Sequence, residues 1–115
     1  MRGHLWTGTK GAGAELGHII MDIDGPVCSC GNRGCLEAMA SRWAIERDIR
    51  RAVQNGEKTV VQELTKGNLN VIRSKVIKKA LKLKDPLVTS IITRSATILG
   101  KACVSIRHIF DPEII

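Results

Sequence analysis

The sequence predicts an α/β chain in which a glycine-rich first part with one short strand precedes a mainly helical second part. Residues 17–21 join a short apolar run to a glycine-laced loop, which favours a strand. From Ser41 onward, apolar residues recur at helical spacing. The apolar run at 113–115 follows Asp111 and Pro112 and resembles the start of a second strand. Because such strands need partners from outside the 115 residues, the chain is α+β when taken alone.

A loop over residues 24–35 holds three of the four cysteines. The candidate metal ligands follow the spacing His18-x9-Cys28-x-Cys30-x4-Cys35. Three thiolates and one imidazole suit tetrahedral zinc, and four protein ligands leave no open position, so the predicted site is structural. Two alternatives stay open: unpaired loop cysteines beside an ordinary strand histidine in a reducing compartment, and a thiol redox relay, although CxxC is absent. The fourth cysteine, Cys103, is expected to be a small buried hydrophobe.

Ser41 is the predicted N-cap of a helix that runs to about Gln54 and is closed by Gly56. Glu46 and Arg50 stand at i,i+4 and are predicted to pair. Four apolar residues are assigned to the buried stripe of this helix: Trp43, Ile45, Ile49 and Val53. The pattern is typical of a surface helix with one buried face.

Two short helices are predicted next, over 59–64 and from Ser74. The second of them is expected to bury Val76, Ile77, Ala80 and Leu81. Asp85 and Pro86 predict the start of the longest helix, since the carboxylate caps free N–H groups where proline needs no donor. Apolar residues keep the helical period to about Phe110, which predicts a central, largely buried helix.

The net charge of +7 is compatible with nucleic-acid binding, because clustered cations release counterions from phosphates. The basic runs at 47–51, 73–79 and 82–84 are, however, interleaved with apolar positions and lack an aromatic platform, which favours solvated helix faces. Charges interrupt the apolar stretches before the roughly 18 to 20 residues that a membrane span needs. The N-terminus lacks the pattern of a secretory signal. We therefore expect a cytoplasmic chain with no membrane partner.

Two sequence segments, GTKGAGAELGHI at 8–19 and DGPVCSCGNRGCLEAMAS at 24–41, closely resemble the ROK family of repressors, open reading frames and kinases. The resemblance is strongest to its bacterial glucokinases and N-acetylmannosamine kinases. It rests on the glutamate-x-glycine-histidine element at 15–18, the DGP turn, the CxCGxxGC loop and Glu37. The later helices and the closing DPEII are also similar, so the resemblance covers nearly the whole chain.

This resemblance implies a partial C-terminal domain of an actin-like, two-domain sugar kinase with a ribonuclease-H-like core. Residues 1–40 would form the sugar-binding and zinc loop region, 41–110 the helical region and 111–115 the start of a strand. The longer protein would use ATP and magnesium to phosphorylate a hexose or an N-acetylhexosamine. It would also form a homo-oligomer, most simply a dimer.

The resemblance further implies that Glu15, His18 and Glu37 contact sugar hydroxyls, and that His18 also binds the zinc. The catalytic aspartate and the glycine-rich phosphate loops of the family have no counterpart in this sequence, so the chain alone is expected not to catalyse. A sugar-sensing domain of a ROK transcriptional repressor is the alternative, and nucleic acid is an expected partner only there. A truncated fragment without a function of its own is the third interpretation.

Overall fold

The structure is a computed structural model that describes residues 7–115, so the first six residues of the predicted 1–40 region lie outside it. Five α-helices dominate this range: α1 (Leu36–Ala40), α2 (Arg42–Gln54), α3 (Val60–Leu64), α4 (Ser74–Lys82) and α5 (Pro86–Phe110). Two short 3-10 helices, Leu16–His18 and Leu69–Val71, accompany them. The described part of the chain is therefore mostly helical and contains no strand.

The strand predicted at 17–21 is wrong for this chain, whereas the start of a strand at 111–115 stays a prediction. The 3-10 helix Leu16–His18 occupies the start of the 17–21 segment, and beyond it Ile20 makes only an isolated antiparallel bridge to Cys35. Residues 113–115 form no ladder within the described range. The physical reason is that a strand must pair its backbone N–H and C=O groups along a neighbour, and within residues 7–115 the 17–21 segment finds only the isolated bridge at Ile20.

Helix α2 confirms the prediction made from its N-cap. The Ser41 hydroxyl accepts a hydrogen bond from the backbone N–H of Ala44 at 3.2 Å, and Arg50 Nη2 donates to Glu46 Oε2 at 2.9 Å. Ile49 is fully buried, whereas Trp43 is 41% exposed and lies under the Arg47 guanidinium.

The assignment of Trp43 to the buried stripe is therefore wrong. Six residues separate Trp43 from Ile49, which places them about 120° apart around the helix axis. Ile45 and Val53 lie four residues on either side of Ile49 and are half-buried on its side of the helix.

The hydrophobic core lies between α2, α3, α4 and the first turns of α5. Its buried members are Ile49, Val61, Ile72, Val76, Ile77, Ala80, Val88 and Ile91. Three of the four residues predicted to be buried on α4 belong to this set, and the fourth, Leu81, packs against it. The helical periodicity of the sequence thus identified this part of the core.

Asp85 joins two helices through one carboxylate. Its Oδ1 accepts from the backbone N–H of Val88, which caps α5 as predicted. Its Oδ2 accepts from the Thr59 hydroxyl and from the backbone N–H of Val60 at the start of α3, each at 2.9 Å. The same buried side chain therefore fixes the N-terminal ends of α3 and α5.

Helix α5 is less buried than its apolar sequence predicts. Its buried residues are Val88, Ile91, Ser95 and Ala102, and Cys103 is only half-buried. Leu99, Val104 and Ile109 are exposed, the last at 71%. Twenty-five residues span about 37 Å, and within the described chain α1, α2 and α4 cover only one side of that length.

Helix α5 bears on the prediction that no apolar stretch is long enough to span a membrane, although Arg94, Lys101 and Arg107 interrupt its apolar sequence. By length and composition this one helix of the described residues is long enough and apolar enough to cross a membrane. The core helix of a soluble protein has the same properties, and α5 does pack against three other helices of this chain.

Candidate metal centre and adjoining carboxylates

Two isolated antiparallel bridges fold the cysteine loop into a compact knuckle. Ile20 pairs with Cys35, and Val27 pairs with Arg33. Backbone hydrogen bonds of 2.8 to 2.9 Å tighten it: Met21 N to Gly34 O, Cys28 N to Asn32 O, Gly34 N to Pro26 O and Leu36 N to Ile19 O. Because Cys35 also stands at the N-cap of α1, the loop is held by the helix that follows it.

Gly34 is the position where the knuckle requires glycine. Its φ of 65° is left-handed, and a Cβ built there would lie 1.5 Å from the carbonyl oxygen of Asp22. Gly31 also has a positive φ, of 90°, but a Cβ there would meet no atom within 4 Å. Both glycines adopt the left-handed conformation, but only Gly34 uses it for close packing.

The knuckle brings the four predicted metal ligands together. The ligand atoms of His18, Cys28, Cys30 and Cys35 all lie within 4.8 Å of one another. His18 Nδ1 lies 3.6 Å from Cys28 Sγ, and Cys30 Sγ lies 3.7 Å from Cys35 Sγ. A disulfide would place two sulfur atoms about 2.05 Å apart, so the Cys30 and Cys35 thiols are free.

These two distances match the edges of a zinc tetrahedron. Zn–S bonds of about 2.3 Å at the tetrahedral angle separate two sulfurs by roughly 3.8 Å. A Zn–N bond of about 2.05 Å and a Zn–S bond separate nitrogen from sulfur by roughly 3.5 to 3.6 Å. The donor types and these two distances therefore fit zinc.

The charges of the cluster also fit a bound cation. A hydrogen bond from the Cys30 backbone N–H lowers the pKa of the Cys28 thiol to about 6, against the opposing effect of burial. Burial, together with the neighbouring thiols, raises the pKa of Cys35 to about 12. The protein alone thus favours a thiolate at one sulfur and a thiol at another, and a divalent cation would supply the positive charge that three adjacent thiolates need.

The second nitrogen of His18 faces the two predicted sugar-binding glutamates. Nε2 lies 3.9 Å from Glu15 Oε2 and 4.0 Å from Glu37 Oε2. The hydrogen bond with Cys28 is the main cause of the raised pKa of His18, burial opposes it, and the charges of Glu37 and Glu15 add to it. Glu15 is 63% exposed, Glu37 36% and His18 33%, so all three groups remain open to a ligand.

Local structure explains why these carboxylates converge. Glu15 immediately precedes the 3-10 helix that ends at His18, so the two side chains stand at i and i+3. Glu37 lies in the first turn of α1, two residues beyond the candidate ligand Cys35. The knuckle that gathers the candidate ligands therefore also places Glu37 beside His18 Nε2, the ring nitrogen that faces away from the cysteines.

A cleft of about 500 Å³, which the sequence did not predict, lies on another side of the knuckle. Its charged lining comprises Asp22, Asp24, Arg33, Arg47, Asp48, Arg51 and Arg94. An ion pair between Arg94 of α5 and Asp48 of α2 crosses it. The two residues are 46 positions apart in the chain, so their pairing could not be predicted from the sequence. The basic run on α2 was the one sequence feature that pointed to this charged cleft.

Comparisons with known proteins identify relatives along almost the whole chain. It is 39% identical over 113 residues to the glucokinase of Thermotoga maritima, covering 98% of this chain and 35% of that protein. It is 30% identical over 113 residues to the N-acetylmannosamine kinase of Vibrio cholerae, covering 98% and 34%. It is also 32% identical over 111 residues to the DNA-binding transcriptional dual regulator NagC of Escherichia coli, covering 96% and 26%.

Solved structures give the same relationships. A ROK hexokinase from Thermus thermophilus superposes with a TM-score of 0.76 at 29% identity, over 95% of this chain and 32% of that one. A ROK family transcriptional regulator, a homologue of the E. coli MLC protein, gives a TM-score of 0.72 at 35% identity, over 85% and 24%. The chain thus spans about a third or less of these relatives. The ROK family model matches residues 1–115, and the chain belongs to the ROK family.

Proposed function

We propose that the chain is the sugar-binding, zinc-containing portion of an ATP-dependent hexose or N-acetylhexosamine kinase. This proposal rests on the position of one imidazole, which lies between the thiol cluster and two carboxylates. His18 Nδ1 faces the thiol cluster, and His18 Nε2 faces the carboxylates of Glu15 and Glu37. A structural metal and a hydroxyl-binding site would therefore share one ring.

In this proposal zinc is held by His18 Nδ1 and by the sulfurs of Cys28, Cys30 and Cys35. The bound ion supplies cross-linking of the loop, since four protein ligands leave no position for an activated water. With Nδ1 engaged, the proton of a neutral imidazole resides on Nε2. That nitrogen can then donate a hydrogen bond toward a sugar oxygen or a carboxylate.

Glu15 and Glu37 supply the complementary acceptors. A carboxylate accepts hydrogen bonds from two vicinal hydroxyl groups, and a fixed imidazole beside it orients the sugar ring without a large loss of side-chain entropy. Two carboxylates about 4 Å from the same Nε2 form a compact site. These carboxylates suit the hydroxyl groups of a neutral hexose or N-acetylhexosamine, and they would repel a negatively charged ligand.

Phosphoryl transfer needs groups that the family would supply outside these residues. These are the base that deprotonates the sugar hydroxyl and the loops that hold ATP and magnesium. In the proposed domain organisation, 1–40 carries the sugar and zinc groups, 41–110 is a helical support and 111–115 leads into a strand of the longer protein. A cytoplasmic dimer is part of the same proposal.

Elemental analysis tests the zinc site. Chain purified without chelator is expected to contain about one zinc per molecule, and Cys30→Ser to lose zinc and unfold at a lower temperature. Cys103→Ser is the matched control, because Cys103 lies on α5 away from the cluster. Zinc-free wild-type chain, or a Cys30→Ser variant with unchanged zinc content and melting temperature, would contradict the assignment.

Calorimetric titration with glucose and with N-acetylmannosamine tests the sugar site. Glu37→Gln and Glu15→Gln are each expected to weaken binding by about tenfold or more, since a hydrogen bond to a charged group contributes about 1.5–3 kcal/mol. Zinc content should stay at the wild-type value. Glu57→Gln, an exposed substitution beyond α2, is the control. Equal affinities for all four proteins would overturn the sugar assignment.

A sugar-sensing domain of a ROK repressor is the second candidate, because NagC and the ROK regulator match most of this chain. Sugar binding is common to both candidates, so phosphoryl transfer separates them. The 115-residue chain itself is expected to release no ADP from ATP in the presence of either sugar. Turnover above background by this chain would refute the statement that its catalytic groups lie elsewhere. A longer protein that carries these residues and phosphorylates the sugar would exclude the repressor.

A further inference from the structure

One segment carries a positive charge equal to the net charge of the whole chain. Residues 66–84 contain seven basic residues and no acidic one: Lys66, Arg73, Lys75, Lys78, Lys79, Lys82 and Lys84. The chain has 18 Lys and Arg against 11 Asp and Glu, so the other 11 basic residues balance the 11 acidic ones. The net charge of +7 is thus the charge of this segment.

Helix α4 places four of these cations on one face, called here the α4 cationic face: Lys75, Lys78, Lys79 and Lys82. At 100° per residue they fall within an arc of about 100°, and they extend over about 10 Å of helix axis. Val76, Ile77 and Ala80 occupy the other side of the helix and are buried in the core. Arg73 and Lys84 lie just outside the two ends of the helix and are also exposed.

No acidic group neutralises this row. All seven basic residues are exposed, and none of them forms an ion pair in the described range 7–115. The basic run on α2 differs, since Arg47 pairs with Asp48, and Arg50 pairs with Glu46. The three basic runs of the sequence are therefore not equivalent, and only the two in 73–84 form an unpaired charged surface.

We propose that the α4 cationic face docks on the phosphate backbone of double-stranded nucleic acid without sequence preference. All four residues of the face are lysines, which pair with phosphates as point charges and read no base pattern. A duplex presents about one charge per 1.7 Å of its axis, so a row about 10 Å long faces several phosphates at once. This inference is independent of sugar binding and goes beyond the proposed function.

Two features of the same surface argue against other polyanions. A single strand is held by aromatic side chains that stack on its bases, and residues 60–85 contain no aromatic residue. An amphipathic helix binds a membrane by inserting its apolar side, but on α4 Val76, Ile77 and Ala80 are already buried in the protein core. What remains accessible is a row of cations suited to a regular array of phosphates.

Fluorescence anisotropy with a labelled 20-base-pair duplex of mixed sequence tests the proposal on the full zinc-loaded chain. Four neutralised phosphates predict a slope of about −3.6 for log K against log salt concentration, which amounts to about a 150-fold loss of affinity between 50 and 200 mM salt. The quadruple variant Lys75→Gln, Lys78→Gln, Lys79→Gln and Lys82→Gln is expected to lose most of that slope and at least tenfold in affinity at the lower salt concentration.

Two further variants separate this surface from net charge and from misfolding. Lys10→Gln, Arg51→Gln, Lys101→Gln and Arg107→Gln remove the same charge from exposed positions elsewhere and should leave the slope nearly unchanged. Replacing the four α4 lysines with arginine keeps the charge and should keep binding. The proposal is overturned by any of four results: no duplex binding at 50 mM salt, equal losses in both glutamine variants, tighter binding to a single strand, or binding to anionic phospholipid vesicles without binding to the duplex.

Discussion

Substitution of Asp85 with alanine leaves three hydrogen-bond donors without the carboxylate that they share. The Val88 N–H loses the cap of α5, and the Thr59 hydroxyl and the Val60 N–H lose their acceptor at the start of α3. Loss of an N-cap costs about 1 kcal/mol. Leaving buried donors without a partner adds about 1–3 kcal/mol. We expect Asp85→Ala to lower the free energy of unfolding by roughly 2 to 4 kcal/mol in total, a large part of the roughly 5–15 kcal/mol of a typical domain.

The charge of Asp85 gives this stabilisation a pH dependence. Burial raises the pKa of the carboxyl, but hydrogen bonds from Val88, Val60 and Thr59 lower it by more, so the pKa lies below its ordinary value of 3.8. A carboxyl with a depressed folded pKa stabilises the protein fully above the unfolded pKa and loses that contribution as the pH falls through the folded pKa. The stability difference between wild type and Asp85→Asn should therefore shrink below about pH 4.

Urea unfolding followed by circular dichroism measures both effects, and Ser41→Ala supplies the matched control. Ser41 caps α2 through a single hydrogen bond, to Ala44, so its loss should cost about 1 kcal/mol. Comparing Asp85→Asn with wild type at each pH cancels the acid sensitivity of every other group. The idea of a shared cap is refuted if Asp85→Ala costs no more than Ser41→Ala, or if the Asp85→Asn difference is the same at pH 7 and pH 3.

Two further predictions concern the knuckle and the core. Gly34→Ala should reduce zinc retention and melting temperature, because its Cβ would lie 1.5 Å from the Asp22 carbonyl oxygen. Gly31→Ala is the control and should cost only about 1 kcal/mol of backbone strain, since its Cβ would meet no atom within 4 Å. Equal losses of the two variants in calorimetric melts would disprove the steric account. Ile49→Ala should lower the free energy of unfolding in urea by about 2–5 kcal/mol, and the exposed Ile109→Ala should change it by less than about 0.5 kcal/mol; a similar effect of both would mean that α5 is buried by contacts outside this chain.

Local rules predicted the helices well. Ser41, Thr59 and Asp85 each precede a helix and accept a hydrogen bond from its first turn. Such caps depend on residues within three positions of one another, so the sequence contains all the information they need. The ends of α2 and α5 were therefore predicted closely.

Features that depend on distant partners were predicted less well. A strand at 17–21 needs a neighbouring strand, and the backbone there turns into a 3-10 helix that places His18 beside the cysteines. The apolar period of α5 shows that the helix can be buried, but it does not show whether another part of the chain covers it. Leu99 and Ile109 are exposed. Spacing indicated the candidate ligands. The approach of Glu15 to Glu37, 22 residues later, followed only from the family resemblance.

The imidazole of His18 would allow sugar binding at the proposed site to be followed by absorption spectroscopy. Its two nitrogens belong to one conjugated ring, so a hydrogen bond formed at Nε2 alters the basicity of Nδ1 and the ligand field of an ion bound there. Cobalt(II) accepts the same tetrahedral donors as zinc and absorbs visible light when thiolates bind it. In a cobalt-substituted chain, a sugar that contacts Nε2 would shift the absorption bands of the metal, whereas a ligand bound elsewhere on the surface would leave them unchanged.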